Sequence, residues 1–157
     1  MLPESSLNLI ISGILTLSGV ILGVLVERHF HEKEVRESLF KALFEEVKLN
    51  HFVAEKAKET YKSPEWTVFE LSPFYTLAYQ NIRTSGELAI LSRDTLTLLE
   101  DTYEMIYAHN RQATVIYGDP SGFMRDRGLK ERIEKLEAKL GQLKQNLPKE
   151  LKFLKKH

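Results

Sequence analysis

The sequence predicts an all-α protein, in which an N-terminal transmembrane helix runs into a long cytosolic helix, packed in an antiparallel helical bundle with a C-terminal coiled-coil-like helix. Three observations predict it. Leu7 to Val26 holds no charged residue, over the roughly 20 residues that a helix needs to cross a bilayer's hydrocarbon core. The long segments after it repeat apolar residues at the helical period, with Glu and Lys on the other face. Gly and Pro fall between those segments, Gly141 excepted, and no run of alternating β-branched residues competes with the helices.

The first element is the apolar run. A secretory signal peptide would need a basic leader and a small-residue cleavage site. The leader MLPESS has Glu4 and no Lys or Arg, and the run closes on Val24, Leu25 and Val26, so the segment is expected to stay attached as a single span. Arg28, Lys33 and Arg36 follow it while nothing basic precedes it, which by the positive-inside bias puts the N-terminus outside and the bulk of the chain in the cytoplasm. Asn8, Ser12, Thr16, Gly19 and Gly23 recur at spacings of three and four, lining small and polar groups along one helical face. Gly19 and Gly23 form a GxxxG pair, so this stripe is the expected face for association with another membrane helix.

From Glu27 to about Lys62 there is neither Pro nor Gly, and the first helix is expected to continue without a break. Val35, Leu39, Leu43, Val47, Ala54 and Ala57 form its stripe, widened by Phe40, Phe44 and Phe52. Asn50 lies on that stripe and is read as a boundary residue in preference to a buried group pinning register. Lys62-Ser63-Pro64-Glu65 reads as the break, followed by an apolar connection through Trp66, Val68, Phe69 and Leu71. Ser72-Pro73 is the expected start of the next helix, with Phe74, Leu77, Ala78 and Ile82 on its face, and Ser85-Gly86 its end.

Ser92 or Asp94 is expected to cap a third helix that runs to about Tyr117, with Leu98, Leu99, Tyr103, Ile106, Tyr107, Asn110 and Thr114 on or beside one stripe. Tyr117-Gly118-Asp119-Pro120-Ser121-Gly122 opens a loop reaching about Gly128. In the last helix Leu129, Ile133, Leu136, Leu140, Leu143 and Leu147 alternate spacings of four and three, a heptad seam flanked by Lys and Glu. A seam this short is expected to pack within the chain rather than hold a dimer. Pro148 is expected to interrupt it. The domain organisation that results is a tip and span at 1–26, a cytosolic bundle at 27–147 and a basic amphipathic tail at 148–157.

The stretches EEVKLN, SGELAIL and LEDTYEMIYAHN resemble a pattern in uncharacterised prokaryotic proteins with one N-terminal span and a helical cytosolic domain. Asn50, Ser85, Gly86, Leu88, Tyr103 and Asn110 hold the places of that pattern. The resemblance implies an anchor and a bundle, and no activity.

The 157 residues carry no net charge, but 63–120 is about five charges negative and the segment after it about six positive, so the two segments could attract one another. With no cysteine, disulfides, thiolate metal sites and a Cys nucleophile are excluded. The densest local set of metal-type ligands is Glu27, His29, His31, Glu32 and Glu34, which lacks the paired-His helical spacing of a zinc protease; Glu27 and His31 share a face, as do His51 and Glu55. No metal site or cofactor is assigned. His109 beside Asn110, with Asp101 and Glu104 near in sequence, is read as a helix-boundary histidine rather than an acid–base catalyst. GDPSG lacks the Walker spacing, and no GxSxG is present, so no catalytic residue is assigned.

In the tail, Lys149, Lys152, Lys155 and Lys156 either touch anionic lipid headgroups or form a solvated end. Nucleic-acid binding is not expected, because Lys alternates with Glu as far as residue 144. The function expected is that of a single-pass, membrane-anchored scaffold, adaptor or sensor subunit. Its partners are the bilayer and either further copies of itself or another membrane protein. The alternative is an oligomeric channel or transporter subunit with the first helix lining a pore, and the third a membrane-tethered enzyme.

Overall fold

A computed structural model describes the backbone of residues 4–60, 72–118 and 127–154, and side chains within 17–59, 72–114 and 128–152. Among these residues the structure is all-helical: α1 (Glu4–Thr60), α2 (Leu77–Ser85), α3 (Arg93–Gly118) and α4 (Arg127–Leu154), with a 3-10 turn, Glu87–Ile90, between α2 and α3. The all-α expectation holds. Two compact units divide the chain, Met1–Ser38 and Leu39–His157.

In the first unit the helix shows apolar side chains on every side. Leu17, Val20, Ile21, Leu22, Val24, Leu25 and Val26 are each 52–64% exposed. A Cβ added at Gly19 or Gly23 would meet nothing within 4 Å. Among the described residues no helix is long and apolar enough to cross a membrane. The apolar run starts at Leu7, and the side chains of its first half, Asn8, Ser12 and Thr16 included, lie outside the described set.

The second unit is a helical bundle whose core draws on every helix. Phe40, Leu43, Val47 and Ala54 of α1 meet Tyr79 and Ile82 of α2, Leu99, Tyr103 and Ile106 of α3, and Leu136, Leu140, Leu143 and Leu147 of α4. Ala57, Leu129 and Ile133 form a smaller cluster beside it. All six residues of the heptad seam are at most 1% exposed within this one chain.

Polar contacts run in opposite directions along paired helices. Thr95 Oγ1 donates to Glu150 Oε1 at 3.0 Å, Lys139 Nζ lies 3.0 Å from Asp101 Oδ2, and Arg132 donates to Gln112, so positions rise on α3 as they fall on α4. Between α1 and α4, Lys58 reaches Glu137 at 2.9 Å and His51 lies against Gly141. The Lys139–Asp101 pair joins the acidic and basic stretches, though a partly exposed pair contributes only about 0–1 kcal/mol.

Four expectations need correction. Asn50 is fully buried, not a boundary residue. The second helix starts at Leu77 rather than at Ser72-Pro73: residues 72–76 carry no helix, and Thr76 is the N-cap without a side-chain capping bond. Pro148 does not stop α4, which continues to Leu154. A proline inside a helix costs about 3 kcal/mol, but Leu147 is buried before it and Leu151 packs on the core after it, and burial of two Leu side chains at about 1.5–3 kcal/mol each offsets that. Finally, α3 runs one residue past the expected Tyr117 to take in Gly118, which the loop was expected to hold, and α4 begins at Arg127.

Other boundaries agree. Gly86 takes the left-handed conformation, φ 79°, just past α2, and its N–H donates to Arg83 O at 3.3 Å. Ser92 caps α3, its Oγ accepting from Thr95 N at 3.4 Å and its carbonyl from Leu96 N at 2.9 Å. The expected break at Lys62–Glu65, Trp66 to Leu71, and the core of the loop at 119–126 lie outside the described residues.

Candidate functional site

Two polar clusters stand out in the second unit, and the first surrounds the segment that leads into α2. Residues 72–76 carry no helix, and the partly buried backbone groups of such a segment must find partners outside it. Asn50 of α1 supplies two of them: its Oδ1 accepts from Tyr75 N at 2.7 Å and its Nδ2 donates to Tyr75 O at 2.8 Å. Asn110 of α3 does the same one residue earlier, accepting from Phe74 N and donating to Phe74 O, both at 2.8 Å. Two side-chain amides, one from α1 and one from α3, thus hold consecutive residues, each presenting the donor and acceptor that a neighbouring strand would.

Glu46, one turn before Asn50 and buried, continues the clamp. Its Oε2 accepts from Ala78 N at 2.7 Å, and its Oε1 from Tyr79 N at 3.1 Å and from the Tyr103 hydroxyl at 2.6 Å. A carboxylate on the first free N–H groups of a helix is favoured by hydrogen bonding and by the helix dipole together. Thr76 offers no side-chain cap to α2, so the capping group comes from α1 instead. Tyr79 stacks on Tyr103, with ring centroids 4.0 Å apart and planes 12° from parallel. Burial, and then the Glu46 carboxylate, hold the Tyr103 hydroxyl far above the usual phenol range.

His109 closes this cluster. It is 1% exposed and meets Phe74 edge to face at 4.9 Å. Neither ring nitrogen has a hydrogen-bond partner at proper geometry among the described residues. Burial lowers its pKa to about 4; the backbone at Ser72 opposes the shift and the Arg132 charge adds to it. The imidazole is therefore neutral at pH 7, a packed ring and not a boundary residue.

The second cluster joins α1 to α4. His51, Glu55 and Glu137 each bring a ligand-type atom within 4.8 Å of the others. His51 Nδ1 lies 3.5 Å from Glu55 Oε2, its side chain is 10% exposed, and Nδ1 itself is buried with no hydrogen-bond partner. The opposite edge of the ring lies against Gly141, where an added Cβ would come within 3.3 Å of Nε2. Gly141, in the middle of α4, therefore makes room for this imidazole. Lys58 Nζ donates to Glu137 Oε2 at 2.9 Å, and that carboxylate raises the Lys58 pKa. A cavity of about 260 Å³ lined by Glu55, Lys58, Glu59 and Glu137 opens beside them.

Several residues singled out in the sequence fall elsewhere. Glu27, His29, His31, Glu32 and Glu34 sit on one exposed helix of the first unit, where Arg28 pairs with Glu32 at 2.8 Å and lowers its pKa. They do not converge as His51, Glu55 and Glu137 do. Lys149 and Lys152 are exposed, and Lys155 and Lys156 lie outside the described residues.

Of the six residues in the recurring pattern, Asn50, Tyr103 and Asn110 meet around Phe74–Tyr79, while Ser85, Gly86 and Leu88 form the far end of α2 and the turn after it. Sequence reasoning missed Glu46 and Glu137, whose partners lie on other helices. One signal was available: Asn50 and Asn110 interrupt apolar stripes, and a polar residue there implies a buried partner.

Together the fold and these clusters define an all-α protein with a helical bundle closed by a polar clamp. No protein-family model matches the chain, and no curated protein or solved structure does so either.

Proposed function

We propose that this chain is a single-pass, membrane-anchored scaffold, adaptor or sensor subunit, with Leu7–Val26 in the bilayer and an antiparallel bundle on the cytoplasmic side that ends in a coiled-coil-like helix. The observation that carries this reading is the apolar surface of Leu17 to Val26, exposed all round on a helix. Contiguous apolar surface on this scale belongs against lipid or another protein. The sequence extends it back to Leu7 without a charge.

Self-association, on this reading, belongs to the first helix. The heptad seam is already buried in its own chain, so it has no free face to offer a second copy, whereas Gly19 and Gly23 leave open space for a close-packed helix. No nucleic acid is proposed as a partner.

The test is carbonate extraction of membranes from cells expressing the full chain, with protease added to intact cells. Retention in the pellet and protection of the bundle are expected. Recovery of intact protein in the aqueous fraction would overturn the anchor, and cleavage of the bundle from outside would overturn the orientation. Cross-linking in detergent should give oligomers that Gly19→Leu and Gly23→Leu weaken; a monomer in all three would remove self-association.

A further inference from the structure

The pairing of a buried imidazole with two carboxylates from different helices asks for an explanation that packing does not supply. His51 Nδ1 is turned away from solvent and from any hydrogen-bond donor or acceptor at proper geometry, and such a group costs stability unless something fills the place beside it. Glu55 is one helical turn along α1 and so on the same face, and Glu137 arrives from α4. Imidazole nitrogen with carboxylate oxygen is the mixed donor set of zinc and related first-row divalent ions; magnesium and calcium prefer oxygen alone.

We infer that His51, Glu55 and Glu137 form a binding site for a zinc-class divalent cation that clamps α1 to α4. The cation takes His51 through Nδ1, since Gly141 occupies the Nε2 side. Two carboxylates balance its charge. Three protein ligands leave a position for water on the side of the cavity that Glu55, Lys58, Glu59 and Glu137 line. Lys58 is the competitor: its ammonium now holds Glu137 at 2.9 Å and must release that oxygen when the metal enters. The spread of 4.8 Å is wider than a tetrahedral zinc shell with bonds of about 2.0–2.2 Å, so the carboxylates swing inward on binding and draw the two helices together.

The experiment uses the full chain in detergent, stripped with a chelator and titrated with Zn²⁺ by calorimetry, with Co²⁺ absorption as a second readout and Mg²⁺ as control. One equivalent of Zn²⁺ is expected to bind and to raise Tm, with no response to Mg²⁺. Glu55→Gln and Glu137→Gln keep shape and remove charge, and each should weaken binding at least about tenfold while the far-UV spectrum stays unchanged. Lys58→Met should tighten it, and His29→Ala with His31→Ala should leave it as it was. Absence of Zn²⁺ binding in the unaltered chain would overturn the site. So would binding that survives both Gln variants, or that disappears with His29 and His31, since the metal would then sit elsewhere.

Discussion

Single side chains decide more here than their number suggests, because several are buried polar groups whose partners are backbone atoms. Asn50→Ala would strip the part-buried Tyr75 N–H and C=O of both partners, at a cost of about 1–2 kcal/mol, below that of fully buried groups. Asn110→Ala should cost a similar amount through Phe74. Urea denaturation of the two single variants and the double one checks this, and non-additive losses are expected because the two amides hold adjacent residues.

His109 supplies a prediction in pH. Its folded pKa is near 4 against an ordinary 6.5, so below about 6.5 the unfolded chain takes up a proton that the folded one refuses. The stability contribution is therefore complete above pH 6.5 and is lost as pH falls towards 4, by on the order of 3 kcal/mol. Denaturant midpoints at pH 7 and pH 4.5 should converge in His109→Phe relative to the unaltered chain.

At the scale of elements, α2 is a helix of nine residues, too short to hold itself in water, and it depends on α1 for its cap. Glu46→Ala should release Ala78 N, Tyr79 N and the Tyr103 hydroxyl at once, costing on the order of 3 kcal/mol. Hydrogen exchange should show protection lost first over Leu77–Ser85. Tyr103→Phe should cost less, since the carboxylate keeps both N–H donors.

The last helix makes the opposite point. Its burial on both sides of Pro148 carries it past a residue that removes a hydrogen bond, so Pro148→Ala should stabilise the protein by about 1–3 kcal/mol, read as a higher denaturant midpoint with the core unchanged.

For the whole molecule, the two units face different physical problems. Leu39–His157 buries its own apolar faces: its seam is buried and all its helices contribute to the main core. Met1–Ser38 does not, since its described apolar residues meet no core. Deleting residues 1–26 should therefore leave the helical signal and denaturation midpoint of the remainder nearly unchanged while abolishing sedimentation with membranes; loss of the folded transition in that truncation would show that the bundle needs the first unit.

What the amino-acid sequence determined by itself was the helical character of each segment and much of what each would bury, though Val35, Phe52 and Leu77 of the expected stripes are exposed. Periodicity and the stop at Gly86 are written within three or four neighbours, so Leu43, Val47, Tyr103, Ile106 and the six seam residues could be named before any fold was known. Tertiary structure alone decided where polar groups find their partners: Glu46 meets Tyr103 across 57 positions, and Asn50 meets Tyr75 across 25. For the same reason the start of α2, the passage through Pro148 and the meeting of His51 with Glu137 were not legible. Each depends on groups from different helices sharing one buried space, and no local pattern along the chain records which helices will be neighbours.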